Sequence, residues 1–270
     1  RVRRKPNQNN KETITMNNET SITKKEDAGA LATNIFEADA DKGAQDIGQE
    51  DLALPFLKVL GQLSPEVNKQ NSKYVKGAEP GMIVNTVTGQ LYDGAKGINV
   101  LPVYYKRQYI EWQERGESSG GPVHIYEAGD TLPKFKRGRD NKDRLDNGNY
   151  LDTTASHFVI LLGDNPSTAL ISMKATQLKV SRKWNSLMMV IKMKGKNGLF
   201  TPPTYSHIYN LKTVQMSNDK GTWYGWDVFK VGPIKDKAVY DVAKSFAERV
   251  NKGEVVAKHE TDKTKSELPF

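Results

Sequence analysis

The sequence predicts a mainly β fold with helices, of the α+β class, on three observations. Runs of β-branched and aromatic residues with partial alternation recur between turn signals from Ile98 to Val231. Two stretches, Leu178 to Ile191 and Lys235 to Val250, carry apolar residues at helical spacing. Both ends of the chain are polar and weakly periodic, which leaves the apolar pattern to one central body.

From the start, Arg1 to Thr15 is polar and basic, and translation is expected to begin at Met16, so that 1–15 lie upstream of the true start. Residues 1–50 read as a disordered arm with a short helix around Ala28 to Phe36. The ordered body, taken as 51–252, opens at Leu52, Leu54, Phe56, Leu57, Val59 and Leu60 before the turn at Ser64-Pro65. Gly81 to Val87 is a strand whose Thr88-Gly89 turn returns through Leu91 and Tyr92. Ile98 to Tyr105 and Gln108 to Trp112 form one long or bent strand. Glycines and prolines interrupt every candidate element between 114 and 150, which reads as loop. His157 to Leu162 and Thr168 to Met173 are hairpin partners across the turn at Gly163 to Ser167. The helix after Leu178 runs through Val180, Trp184, Leu187, Met188 and Ile191, with Gly195 as its stop. Tyr205 to Met216 and Thr222 to Val231 are aromatic strands joined by Asn218-Asp219-Lys220-Gly221. A second amphipathic helix follows, and 253–270 read as a disordered tail ending Leu268-Pro269-Phe270.

From 98 to 231 this gives strand, strand, strand, helix, strand, strand. That is the element order of the OB-fold, a five-stranded barrel with a helix between its third and fourth strands. A mixed α+β sheet fits the same order.

Charge is localised. The chain has 40 Lys+Arg against 32 Asp+Glu, a net +8. Residues 165–218 contain Lys174, Lys179, Arg182, Lys183, Lys192, Lys194, Lys196 and Lys212 and no acid, so this stretch holds the whole excess. Trp184, Phe200, Tyr205, His207 and Tyr209 are interleaved with these cations. Cations for a phosphate backbone beside rings for bases are what holding single-stranded nucleic acid requires. The same rings would serve equally as core. Tyr205, His207 and Tyr209 alternate, so they should share one sheet face and one fate.

Several chemistries lack their residues. With 0 Cys there is no disulfide, thiolate metal site or cysteine nucleophile. His124, His157, His207 and His259 have no metal-ligand spacing. Gly195 and Gly198 flank Lys196, but a phosphate loop would need glycine where Val190 stands. Asp143 to Gly148 resembles a calcium loop until Leu145, which occupies a ligand position. No enzyme activity, metal or cofactor is therefore expected. Nor is a membrane partner expected, and the protein is expected to be soluble and intracellular.

The ending Leu268-Pro269-Phe270 resembles that of bacterial single-stranded-DNA-binding proteins, which carry a disordered tail closed by an aliphatic residue, Pro and Phe. The acids Glu260, Asp262 and Glu267 are offset here by Lys258, Lys263 and Lys265, a departure from the family's acidic tail. Through Asp51-Leu52-Ala53-Leu54-Pro55-Phe56, Ser181-Arg182-Lys183-Trp184-Asn185-Ser186 and Phe200-Thr201-Pro202-Pro203-Thr204-Tyr205, the body resembles tailed-phage proteins linked to single-stranded-DNA binding. The resemblance implies a phage replication accessory in the host cytoplasm and maps no site.

The expectation is a non-catalytic single-strand binder in phage replication or recombination. The candidate contacts are Lys174, Lys179, Arg182, Lys183, Lys192, Lys194, Lys196 and Lys212 for phosphates, and Trp184, Tyr205, Tyr209, Trp223 and Trp226 for bases. Leu268, Pro269 and Phe270 would bind a phage or host replication protein, and self-association is allowed. A strand-annealing protein and a virion or scaffold protein are the alternatives.

Overall fold

The computed structural model describes residues 36–37, 39–40, 42–43, 52–114, 121–219 and 221–257. The predicted arm, its short helix and the tail with Leu268, Pro269 and Phe270 fall almost wholly outside the described residues. Every element below lies in the compact unit Ala53–Phe270.

In chain order these are β1 (Leu57–Val59), β2 (Ile83–Asn85), β3 (Leu91–Tyr92), β4 (Ile98–Trp112), β5 (His124–Glu127), β6 (Phe135–Arg137), β7 (Asp143–Leu145), β8 (Tyr150–Leu161) and β9 (Ser167–Lys174). They continue with α1 (Leu178–Met189), β10 (Met193–Gly195), β11 (Gly198–Phe200), β12 (His207–Asn218), β13 (Gly221–Pro233) and α2 (Lys237–Lys252). The fold is mainly β with two helices, and its centre is a curled antiparallel half-barrel.

The five long strands run β13-β12-β4-β8-β9 in space, every neighbour antiparallel. The first three in sequence, β4, β8 and β9, are consecutive, and β12 returns through α1 to lie beside β4. That is the Greek-key order. Pro102 sits where β4 slips register against β8, which spares the ladder a missing donor.

The sheet has eight strands rather than the five expected, because β5 pairs onto the end of β4, β7 onto the end of β8, and β6 onto β7. These three lie in the region read as loop. They are three or four residues long, too short for alternation to show between glycines, and cross-strand ion pairs such as Arg137–Asp143 at 2.9 Å replace apolar pattern.

Alternation sorts the long strands between two cores. Ala155, Val159 and Leu161 of β8 face one side with Ile98, Val100, Tyr209, Leu211, Trp226 and Val228, and there α1 inserts Val180, Trp184 and Met188. Phe158 and Ile160 face the other side, against Ala243, Phe246 and Val250 of α2. Asp236 caps α2 by accepting from the amides of Ala238 and Val239, and Gly253 ends it with a left-handed φ of 80°.

Between β9 and β13 the curl is bridged by other parts of the chain. Phe56, entering β1, makes a parallel bridge to Leu170, whose amide donates to Pro55 at 2.8 Å. Gln177, just past β9, accepts from the Trp226 amide of β13 at 2.7 Å. A Cβ on Gly225 would lie 2.1 Å from the Gln177 amide, so only glycine admits this contact. Gly94 seats the small β1-β2-β3 sheet, since a Cβ there would lie 1.8 Å from the Gly81 carbonyl.

His157 ties α1 to the sheet. It is 1% exposed, stacks on Trp184 with ring centroids 4.4 Å apart, and its Nε2 lies 2.8 Å from Ser181 Oγ. Burial pushes its pKa down to about 3. The unfolded chain, with an ordinary histidine near 6.5, binds this proton more readily. The contribution is complete above pH 6.5 and is lost as pH falls toward 3. Between pH 7 and pH 5 this one group should remove about 2 kcal/mol of stability. Denaturation at both pH values checks this: His157→Gln should flatten the difference, and an unchanged slope would show that His157 is not its source. Among the described residues no helix is long and apolar enough to cross a membrane.

Candidate functional site

With Val180, Ser181, Trp184 and Met188 buried, helical spacing leaves Lys179, Arg182 and Lys183 of α1 facing outward. The helix ends at Met189, short of the expected Ile191, and Gly195 is not its stop. Gly195 and Gly198 instead close a hairpin, β10–β11, which pairs Met193 with Phe200 and Lys194 with Leu199. Lys192, Lys194, Lys196, Met193, Leu199 and Phe200 are all exposed on it, Leu199 at 75%. The hairpin escapes a sequence reading because its strands have three residues each.

On β12 and β13 the residues facing away from Trp184 are Asn210, Lys212, Asp227, Phe229 and Val231. Phe229, 46% exposed, joins the helix to this face: the ammonium of Lys183 lies 5.3 Å above its ring and that of Lys212 lies 6.0 Å above it. Lys183 also pairs with Asp227 at 2.7 Å. Lys96, on the loop before β4, borders the same area.

The eight predicted cations thus divide. Lys174 is 3.9 Å from Asp152 and 5.0 Å above the Trp112 ring. Burial pushes the Asp152 carboxyl up, and Lys174 only partly opposes it. Lys174 therefore serves a half-buried acid, and Lys183 is engaged by Asp227. Lys179, Arg182, Lys192, Lys194, Lys196 and Lys212 have no ion pair among the described residues.

Three of the five predicted rings are core. Trp184 and Tyr209 are 0% exposed and Trp226 is 4% exposed, so none can present a face to a base. Tyr205 lies in a 3-10 turn before β12 and packs on Tyr240 of α2, ring centroids 5.2 Å apart, so it does not share the fate of His207 and Tyr209. Trp223 is half-buried. Of the exposed rings, Phe200 is among those interleaved with the cations in the sequence but outside the expected contact set, and Phe229 is not expected as a contact at all. A parity signal was present for Phe229: Asp227 between Trp226 and Val228 marks the odd positions of β13 as the solvent face.

A second polar cluster lies on β4. Glu111, 5% exposed, accepts from Tyr126 at 3.0 Å, Asn147 at 3.0 Å and Asn149. Burial pushes its carboxyl up, but these hydrogen bonds outweigh that and hold it below the usual range. The loop with calcium-like spacing thus donates to a carboxylate. Among the described residues no group of three or more His, Asp or Glu is placed to hold a metal.

Fold and surface together define a mainly β half-barrel on which Lys183 and Lys212 flank the exposed ring of Phe229, with Asp227 paired to Lys183. The chain belongs to the Pam3 phage gp34-like protein family, which it matches over residues 23–256. No curated protein and no solved structure matches it.

Proposed function

We propose that the chain is a non-catalytic, sequence-tolerant single-stranded-DNA-binding protein of phage replication or recombination. The observation that carries this reading is the convergence of α1, β12 and β13 at Phe229. There the acid-free stretch becomes a surface of cations beside a ring that a base can reach. Phosphates need the first and bases the second, and a stack tolerates any base. The Greek-key order, with a helix between the third and fourth long strands, supports an OB-like reading in which β1 and Gln177 take the place of direct pairing between β9 and β13. Belonging to a phage family supports the setting. Leu268, Pro269 and Phe270 would contact a replication protein of the phage or its host.

Titrating single-stranded and duplex DNA at several salt concentrations tests the reading. If four to six of the unpaired cations meet phosphates, the log-log salt slope on single strands should be about −3 to −4, at roughly 0.7 per contact. Single strands should bind more tightly than duplex at every salt concentration. A flat salt response, or a preference for duplex, would refute the proposal.

A further inference from the structure

The area beside Phe229 is a hollow with three kinds of wall. About 360 Å³ in volume, it is lined by Lys96, Asn99, Asn210, Lys212, Phe229 and Val231. It is shallow and open to solvent, so a planar ligand would lie against its floor and keep its other face exposed. The apolar wall is Phe229 and Val231, which are 46% and 57% exposed. The cationic rim is Lys212, without an ion pair among the described residues, and Lys96, which is 86% exposed and reaches Asp93 only at 3.9 Å. The amide wall is Asn99 and Asn210, where Asn210 Nδ2 donates to Asn99 Oδ1 at 2.9 Å. The Asn99 amide nitrogen keeps its own donors for an incoming group.

A ring, two ammoniums and a free amide within one hollow match the three parts of a nucleotide. We infer that this recess binds one nucleotide unit, its base stacked on Phe229, the edge of the base against the Asn99 amide, and its phosphate between Lys96 and Lys212. The inference rests on the single-strand reading and gives it a location. The ammoniums now above Phe229, at 5.3 and 6.0 Å, lie at the long end of cation–π reach and are displaced easily. A base that takes the ring moves them to its rim, where its phosphate lies. Two acids border the site, Asp93 at 3.9 Å from Lys96 and Asp227, which Lys183 holds at 2.7 Å. The unit can come from a strand or from a free nucleotide, because both present the same base and phosphate.

The test uses the full chain, two probes and several salt concentrations. The probes are dodecathymidylate and 5′-dTMP, and the variants are Phe229→Leu and Lys96→Gln/Lys212→Gln. Leucine keeps the apolar bulk of an exposed strand position and removes the π-face, so the thermal midpoint should not move. Phe229→Leu should bind dodecathymidylate roughly tenfold more weakly, the loss of one stack, with an unchanged salt slope. The double lysine variant should lower the slope by about 0.7, the share of the one phosphate held between the two side chains. Saturable 5′-dTMP binding that depends on Phe229 would support the site and extend it to free nucleotides, while binding of the oligomer alone would support it for strands. Wild-type affinity in Phe229→Leu, with salt-dependent oligomer binding intact, would overturn the recess and leave the single-strand reading standing. Binding of neither probe to the wild-type protein would overturn both.

Discussion

Replacing Arg182, Lys192, Lys194 and Lys196 together by Glu is expected to abolish single-strand binding and leave the fold intact. All four side chains are exposed, and none has an ion pair among the described residues. Four lost phosphate contacts remove about 2.8 from the salt slope, which at 0.1 M salt is a loss of roughly 600-fold before any repulsion is counted. Surface charges of this kind contribute little to stability, so the thermal midpoint should move by no more than a few degrees. Lys183 is left out deliberately. Its pairing with Asp227 means that Glu at that position would set two acids together and blur the result. Binding within a few-fold of wild type would show that the cations of 165–218 are not the contact, and unfolding would show that the side chains are structural.

Trp184→Ala is expected to act through stability alone. The indole is fully buried, stacks on His157 and lies 5.9 Å from the Tyr209 ring between α1 and the sheet. Removing a buried aromatic side chain of this size costs about 3 to 5 kcal/mol, a large share of what holds a domain of this size together. Denaturant titration should show that loss. DNA affinity measured well below the new midpoint should match wild type. Normal stability with weakened binding would return Trp184 to the role of a base-stacking ring and contradict its burial.

Four of the five long strands and both helices are legible in the sequence, because each is long enough to repeat its pattern; of β8 only the apolar half from His157 is legible, since Tyr150 to Ser156 is polar and carries no such pattern. Periodicity could not resolve β5, β6, β7, β10 and β11, whose few residues complete at most two turns of a period-two pattern. The cations were legible as a group because the absence of acids in 165–218 is a property of sequence alone. Which of them are engaged was not, since Asp152 and Asp227 come from outside that window. The rings were the least legible. An aromatic in a strand fits either face, and a local event decides the outcome for Tyr205, the 3-10 turn that holds it. The register shift falls on β13, where Val231 has no partner on β12, and over the regularly paired stretch before it Asp227 is enough to place Phe229 outside.

The pairing of β12 with β4 also sets a timetable for synthesis. Val100 meets Tyr209 and Ile98 meets Leu211, so the strand at the centre of the sheet waits for a partner that leaves the ribosome only after β5 to β11 have been made. At a typical elongation rate of about 5 to 20 residues per second, that wait lasts roughly 5 to 20 s. During it β4 and β8 can zip together, but the face bearing Val100 and Val159 has neither Tyr209 nor Leu211 against it. Long-range closure of this kind is slow even for a complete chain. The period in which a nascent chain is open to chaperones or to association with its neighbours is therefore governed by the pace of translation, and slower growth lengthens it however stable the finished protein is.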